Sequence, residues 1–333
     1  MKSKHHFTYV LALVLAFLFQ GTLSQAQVTI TVLETFDYPG TGNLTRPQKI
    51  NDTRDIVGTY VDASLVTRGF TRLANGHFSP PIVDPNDTTN FTEGRGINNS
   101  RTLCGDYLGS DAFYHGYFKV GATFTDYNVA DATSTETLGI NNAGDFAGSY
   151  IPNVTGGIWT PFVSIGGTVT SIAITGSTSG TAYQLNTTNA VCGYYVDSAA
   201  VNHGFFQASN GALHFPIDPP GSTGTILFGN NDQNWIVGRY SDSSGATHGL
   251  LFVPPRTFVT FDYPGSTFTS LNGINKAGYI CGRYIDDAGI EHGIVARAVR
   301  SSGNEPEMKA TNPLPDRANI PATRARPDTV PAS

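Results

Sequence analysis

The chain has 333 residues, a formal charge of −6 and only 14% charged residues, where an average domain carries about 25%. No basic stripe is visible, which excludes a nucleic-acid partner. Glycine is plentiful (37) and methionine scarce (2), a balance that favours short strands joined by turns over helices.

Residues 1–26 read as a signal peptide. Lys2 and Lys4 give a positive start, Val10 to Phe19 is an apolar run, and Ser24-Gln25-Ala26 is a small-x-small cleavage site. The run is shorter than the roughly 20 residues of a membrane span. The expectation is an exported protein, secreted or periplasmic, with no membrane span and a mature start near Gln27.

A predicted strand over 28–38 follows and ends in Phe36-Asp37-Tyr38-Pro39-Gly40. From there the chain repeats itself. Gly-x-Tyr recurs at Gly58/Tyr60, Gly105/Tyr107, Gly148/Tyr150, Gly193/Tyr195, Gly238/Tyr240 and Gly282/Tyr284. Seven residues before each glycine stands an asparagine: Asn51, Asn98, Asn141, Asn186, Asn231 and Asn275. A unit of about 45 residues has room for four short strands and four turns, the size of a propeller blade. One unit divides into predicted strands at Thr225–Asn230, Trp235–Tyr240, His248–Val253 and Thr257–Tyr263. Asn141-Asn142-Ala143-Gly144 and Asn275-Lys276-Ala277-Gly278 read as hairpin turns with glycine at the left-handed fourth place. Arg54 and Arg101 hold that place in the first two copies and suit it less well.

The sixth copy stops after Val295-Ala296-Arg297 without its fourth strand, while residues 28–38 supply an orphan one. Pairing the two hides both edges. The predicted fold is therefore an all-β, six-bladed β-propeller over residues 27–300, with four antiparallel strands per blade. The N-terminal strand closes the ring in the last blade. Residues 301–333, interrupted by six prolines from Pro306 to Pro331, read as a disordered tail.

The pattern Gly-Ile-Asn, Ile-x-Gly-x-Tyr, His-Gly-Phe resembles the bacterial extracellular repeats named HAF after a His-Ala-Phe tripeptide. The tripeptide stands here as His203-Gly204-Phe205, His115-Gly116-Tyr117, His248-Gly249-Leu250 and His292-Gly293-Ile294. The resemblance covers residues 28 to about 299 and implies an envelope or extracellular setting. It implies no activity and carries over no catalytic residue.

Aspartate and histidine recur six apart, at Asp197/His203, Asp242/His248 and Asp286/His292, with Asp62/Arg68 in the first copy. Repetition around a ring separates such pairs, so they are predicted to hold hairpins rather than to form a metal or catalytic site. No blade offers three zinc ligands at metal spacing, and no cofactor is expected. Cys104, Cys192 and Cys281 occupy one small apolar repeat position and read as buried free thiols.

What breaks the symmetry is the better guide to function. Arg46, Glu93, Arg95 and Glu136 lie where dissimilar loops re-enter the ring. They are the candidate ligand-binding residues at the channel mouth, weighed against ordinary solvated loop charges. The expected function is an exported, monomeric binding module for a glycan, a peptide or an envelope protein. The alternative is a secreted hydrolase or lyase acting on extracellular polymer, for which two glutamates and two arginines make a thin acid–base set.

Overall fold

The computed structural model describes residues 27–301 apart from 41 and 43; the predicted leader and tail lie outside the described residues. Unit Val28–Arg300 folds as one compact body built of strands, and among the described residues no helix is long and apolar enough to cross a membrane.

Strand β1 (Val28–Phe36) precedes the repeats. The first blade holds β2 (Leu44–Ile50), β3 (Ile56–Val61) and β4 (Thr67–Arg72). The second holds β5 (Thr92–Ile97), β6 (Leu103–Leu108), β7 (Tyr114–Val120) and β8 (Thr123–Tyr127). The third holds β9 (Ala132–Ile140), β10 (Phe146–Pro152), β11 (Thr160–Ile165) and β12 (Thr168–Ser171). The fourth holds β13 (Ser179–Leu185), β14 (Val191–Val196), β15 (Asn202–Gln207) and β16 (Leu213–Ile217). The fifth holds β17 (Gly224–Asn230), β18 (Ile236–Ser241), β19 (Thr247–Val253) and β20 (Thr257–Phe261), and the sixth holds β21 (Phe268–Ile274), β22 (Tyr279–Ile285) and β23 (Glu291–Arg300).

The ring closes as the half-units predict. β1 runs antiparallel to β23 from Val28 opposite Arg300 to Phe36 opposite Gly293. The innermost strands β2, β5, β9, β13, β17 and β21 touch in a closed cycle around a central channel. Only the first blade departs from four strands. Its outer edge is reduced to bridges at Gly69–Ile82 and Arg72–Phe78, because Pro80-Pro81 between them has no N–H groups for a ladder.

The core is divided among the blade interfaces, one apolar cluster for each. Ile50, Ile56 and Phe70 of the first blade, for example, pack on Cys281 and Val295 of the sixth, and Val57 and Ile82 pack on Ile97 and Tyr117 of the second. The three cysteines lie inside such clusters as buried free thiols, and burial pushes each thiol up to about 12.

Two repeated residues follow from this geometry. Each innermost strand bulges opposite the glycine of Gly-x-Tyr, as between Gly94 and Gly96 or Leu271 and Gly273. A Cβ on Gly105 would lie 2.0 Å from the Glu93 carbonyl and 2.6 Å from the Tyr117 hydroxyl, so no side chain fits there. The repeated asparagines join the blades into a hydrogen-bonded circle. Each Nδ2 donates to the asparagine carbonyl of the next blade: Asn51 to Asn98 at 3.1 Å, Asn98 to Asn141 at 3.3 Å, Asn141 to Asn186 at 3.3 Å. Asn186 donates to Asn231 at 3.0 Å, Asn231 to Asn275 at 3.2 Å, and Asn275 back to Asn51 at 2.9 Å. The fourth turn residue is left-handed in every copy, including Arg54 (φ 66°) and Arg101 (φ 60°). Arg101 is repaid by a 2.7 Å ion pair from its Nε to Asp55.

Candidate functional site: a charge-divided channel mouth

The Asp/His pairs hold hairpins, and each histidine also reaches a second carboxylate on the outer edge of its blade. His203 bonds Asp218 through Nδ1 at 2.6 Å and Asp197 through Nε2 at 3.4 Å. His248 does the same with Asp262 and Asp242, and His292 with Asp37 and Asp286. The Asp oxygens cap the hairpin amides, as Asp197 does for Ala199 and Val201 and Asp62 for Ser64 and Val66. Each ring stacks on the tyrosine of its own Gly-x-Tyr, 4.9–5.2 Å between centroids. Partial burial disfavours the imidazolium, but the flanking carboxylates outweigh it and raise all three histidines. These are staples between strands, spread around the rim.

The four mouth candidates sit elsewhere, on innermost strands. They are not loop charges in solvent: each is partly or fully buried and bonded. Glu93 faces Asp106 across the β5–β6 ladder, and Arg95, in the bulge, binds both. Its Nη2 pairs with Glu93 and its Nε donates to Asp106 Oδ1 at 3.1 Å. Glu136 accepts from the Ser149 hydroxyl at 2.7 Å. Burial raises the Asp106 carboxyl well above the usual carboxylate range against the pull of Arg95, and burial also raises Glu136. Arg95 loses from burial, yet Glu93, Asp106 and Glu136 more than restore its charge. Two buried oxygens, Asp106 Oδ2 here and Thr59 Oγ1 opposite Arg46 on the first blade, have no hydrogen-bond partner among the described residues.

The first, sixth and fifth blades, on either side of the ring closure, carry the other cations. Arg46 pairs with Glu291, which also accepts from Arg283 Nη1 at 2.6 Å. Arg239 has no ion pair or hydrogen bond among the described residues; its guanidinium lies between the rings of Phe228 (5.4 Å) and Phe268 (5.3 Å). Burial lowers Arg239 and takes Arg283 down to about 10. Beside the acidic wall runs a row of half-buried aromatics, Phe91, Tyr114 and Trp159, with centroids 5.8 and 6.1 Å apart. The Tyr114 amide donates to Ser134 Oγ at 3.3 Å, two residues from Glu136 on β9, and its phenol is raised first by burial and then by the charges of Asp106, Glu136 and Glu93.

Below the charges the channel narrows at Lys49, Gly96, Gly139, Gln184, Gly229 and Gly273. The strands approach so closely that a Cβ on Gly273 would come 2.8 Å from Lys49 Cα. Lys49, 4% exposed, extends from the first blade to the fourth, where its ammonium lies 5.7 Å from the Tyr183 ring centre. Burial lowers it to about 8. The asparagine circle closes the far end around a cavity of about 70 Å³.

Sequence reasoning missed Asp106, Arg239, Arg283, Glu291, Lys49 and the aromatic row. The middle residue of Gly-x-Tyr carried a signal. It reads Thr59, Asp106, Ser149, Tyr194, Arg239 and Arg283, varying in chemistry between two residues that do not vary. Its ladder partners Arg46, Glu93 and Glu136 are three of the four candidates.

The fold has counterparts among solved structures. A mutant of AofleA from Arthrobotrys oligospora superimposes with a TM-score of 0.50 at 9% identity, covering 84% of this chain and 93% of that one. A mutant of the Aleuria aurantia lectin AAL in complex with Fucalpha1-6GlcNAc gives 0.48 at 11%, covering 75% and 91%. The β-propeller domain of the Trilobed protease from Pyrococcus furiosus gives 0.46 at 7%, covering 79% and 100%. At these identities the likeness is one of fold, and the class the chain falls in is the six-bladed β-propeller. No protein-family model matches the chain, and no curated protein matches it.

Proposed function

We propose that this protein is an exported binding module whose channel mouth takes a carbohydrate. The observation that carries the reading is the aromatic row Phe91–Tyr114–Trp159 together with the partly exposed, fixed charges of Arg46, Glu93 and Arg95. Aromatic faces cover the C–H surface of a sugar, and fixed polar atoms select its hydroxyls. Export rests on the leader-like residues 1–26 and on the resemblance to HAF repeats. Among the described residues no cluster of three or more His, Cys, Asp or Glu is placed to hold a metal.

A second reading, a hydrolase or lyase, draws on one feature. Burial favours the protonated form of Asp106 and Glu136, as a general acid requires. Against it, Glu93 is committed to Arg95 and Glu136 to Ser149.

The test is a glycan array with the purified protein, followed by titration of the best ligand. Replacing Tyr114 and Trp159 together by alanine is expected to weaken binding about tenfold or more, at the 1–3 kcal/mol typical of buried aromatic contacts at binding hot spots. Unchanged affinity would remove the site, and an empty array with capture of an envelope protein would remove the carbohydrate reading. Release of reducing ends from the bound glycan, abolished in Glu136→Gln, would decide for the enzyme.

A further inference from the structure

A second cavity opens on the opposite face, beside the asparagine circle, between the fifth and sixth blades. It is about 580 Å³ and lined by Gln233, Trp235, Lys276, Arg297, Val299 and Arg300 among others. Among the described residues no acidic one lines it. The nearest turn acids face other partners. Asp52 accepts from the Lys276 amide and from Asn99 Nδ2, and Asp232 from Thr187; both line the channel end.

Its cations are unspent. Arg297 and Arg300 are exposed and, with Lys276, have no ion pair among the described residues. Their guanidiniums rest on aromatic faces instead. Arg300 lies 5.7 Å from the Trp235 ring centre and Arg297 5.1 Å from that of Tyr279, with Arg54 of the first blade 5.2 Å from Tyr279. Stacking fixes the plane of an arginine and leaves its hydrogen-bonding edge free. The protein as a whole is negative, and five of its nine other described arginines are ion-paired, Arg54, Arg68, Arg239 and Arg256 being the exceptions. Arg72 and Arg101 are paired to carboxylates, and Arg46, Arg95 and Arg283 are paired in the channel. What sets this groove apart is the grouping: among the described residues it gathers three cations without an ion pair around a tryptophan and no acid.

We infer that this groove is an anion-selective glycan subsite. It takes an acidic oligosaccharide, with a carboxylate or sulfate on the forked edges of Arg297 and Arg300 and a sugar ring packed on the part of Trp235 that Arg300 leaves uncovered. Planar bidentate recognition suits both anions. The volume lies within the 300–1,000 Å³ of small-molecule sites. A lone phosphate or a long polyanion would use the charges but not the tryptophan. This site lies on the face opposite the channel mouth and stands or falls separately from it.

The experiment is calorimetric titration of the whole protein with tetragalacturonate, a sulfated heparin tetrasaccharide and neutral cellotetraose. At least one acidic probe is expected to bind with an affinity that falls as salt is raised, and cellotetraose to show no binding sensitive to groove substitutions. Arg297→Ala with Arg300→Ala should weaken the acidic probe at least tenfold, with lysine at both positions recovering only part. Trp235→Phe should retain binding, whereas Trp235→Ala should lose about fivefold or more, within the range for a single stacking contact. Circular dichroism identifies any variant that fails to fold, and for such a variant the lysine pair and Trp235→Phe carry the comparison. Binding of neither acidic probe, or acidic binding unaffected by the arginine pair, overturns the site. Binding lost with the arginines but indifferent to Trp235, and matched by inorganic sulfate alone, overturns the sugar assignment. Tyr114→Ala with Trp159→Ala is expected to leave acidic binding in the groove intact, which separates failure here from failure at the mouth.

Discussion

Replacing Asn275 by alanine tests what closes the ring. Asn275 is 4% exposed and makes three side-chain hydrogen bonds. Its Nδ2 donates to the Asn51 carbonyl of the first blade at 2.9 Å, and its Oδ1 accepts from the Ala277 and Tyr279 amides at 3.0 Å each. A typical buried bond is worth about 1 kcal/mol net, so the loss should be about 3 kcal/mol. The Asn51 carbonyl keeps one partner, the Arg54 amide at 3.0 Å, which limits the penalty on that side. For a domain of this size the loss should lower the melting midpoint by on the order of 6 °C. Asn275→Asp separates the two functions of the side chain. An aspartate still caps the two amides but donates nothing to Asn51, so it should lose the cross-blade bond and add a carboxylate beside that carbonyl. Urea denaturation of the full chain measures both. A loss under about 1 kcal/mol for alanine, or an aspartate variant as stable as the parent, would refute the view that the asparagine circle holds the blades together.

Three further outcomes are expected. Leu65 is 82% exposed at φ 63°. Because a left-handed residue costs about 1–2 kcal/mol and glycine returns about 0.5–1 kcal/mol of that in chain entropy, Leu65→Gly should stabilise by about 0.5–1 kcal/mol in urea; destabilisation would count against the hairpin geometry. The staple histidines have raised folded pKa values, so their contribution is complete below the unfolded value of about 6.5 and is lost as pH rises through the folded one. The hairpin aspartates are lowered, Asp242 to about 2, so theirs is present above the unfolded value of about 3.9 and lost on further acidification. Buried Lys49, lowered to about 8, gains stability as pH rises, while buried Asp106 and Glu136 lose it, so the staples are read by difference: between pH 5.5 and pH 8.5 the urea midpoint of His292→Gln should fall less, or rise more, than that of the parent, and an identical change in both would contradict the staples. Deleting residues 28–36 strips β23 of its partner along the whole ladder and should abolish a single cooperative unfolding transition; a sharp, unchanged transition would show that the ring does not depend on this closure.

The sequence disclosed the parts that are needed six times. Gly-x-Tyr, the turn asparagines and the matching half-units at the two ends are imposed by packing that every blade repeats, so repetition alone exposed them. The strand limits in the fifth blade came within a residue or two of those observed, as at Thr225–Asn230 against Gly224–Asn230. The first blade's ragged edge was legible only in Pro80-Pro81, which a repeat alignment treats as an insertion. The Asp/His spacing revealed half of each staple. The other half, Asp37, Asp218 or Asp262, lies on an outer strand, and for His292 it comes from the opposite end of the chain, where a local spacing rule has no reach.

The channel was harder for the opposite reason. A residue lining it has no equivalent to reveal it, because six copies of one charge at the axis would repel without a compensating partner. The fold therefore tolerates charge there only where the blades differ. Glu93, Asp106 and Glu136 on two adjacent blades are answered by Arg95 within the same wall, and Arg46 and Arg283 share Glu291 across the ring closure. Arg239 alone is left to two aromatic rings. In a molecule built from copies, the informative positions are those where strict spacing is kept and chemistry is not. The middle residue of Gly-x-Tyr is such a position, held in register by the glycine before it and the tyrosine after it, and free to be threonine, aspartate, serine, tyrosine or arginine. Substitutions at the partly exposed copies Tyr194, Arg239 and Arg283 should change the chemistry of the mouth more than how firmly the blades pack, whereas substitutions at the fully buried Thr59, Asp106 and Ser149, or at the flanking glycine, should do the reverse.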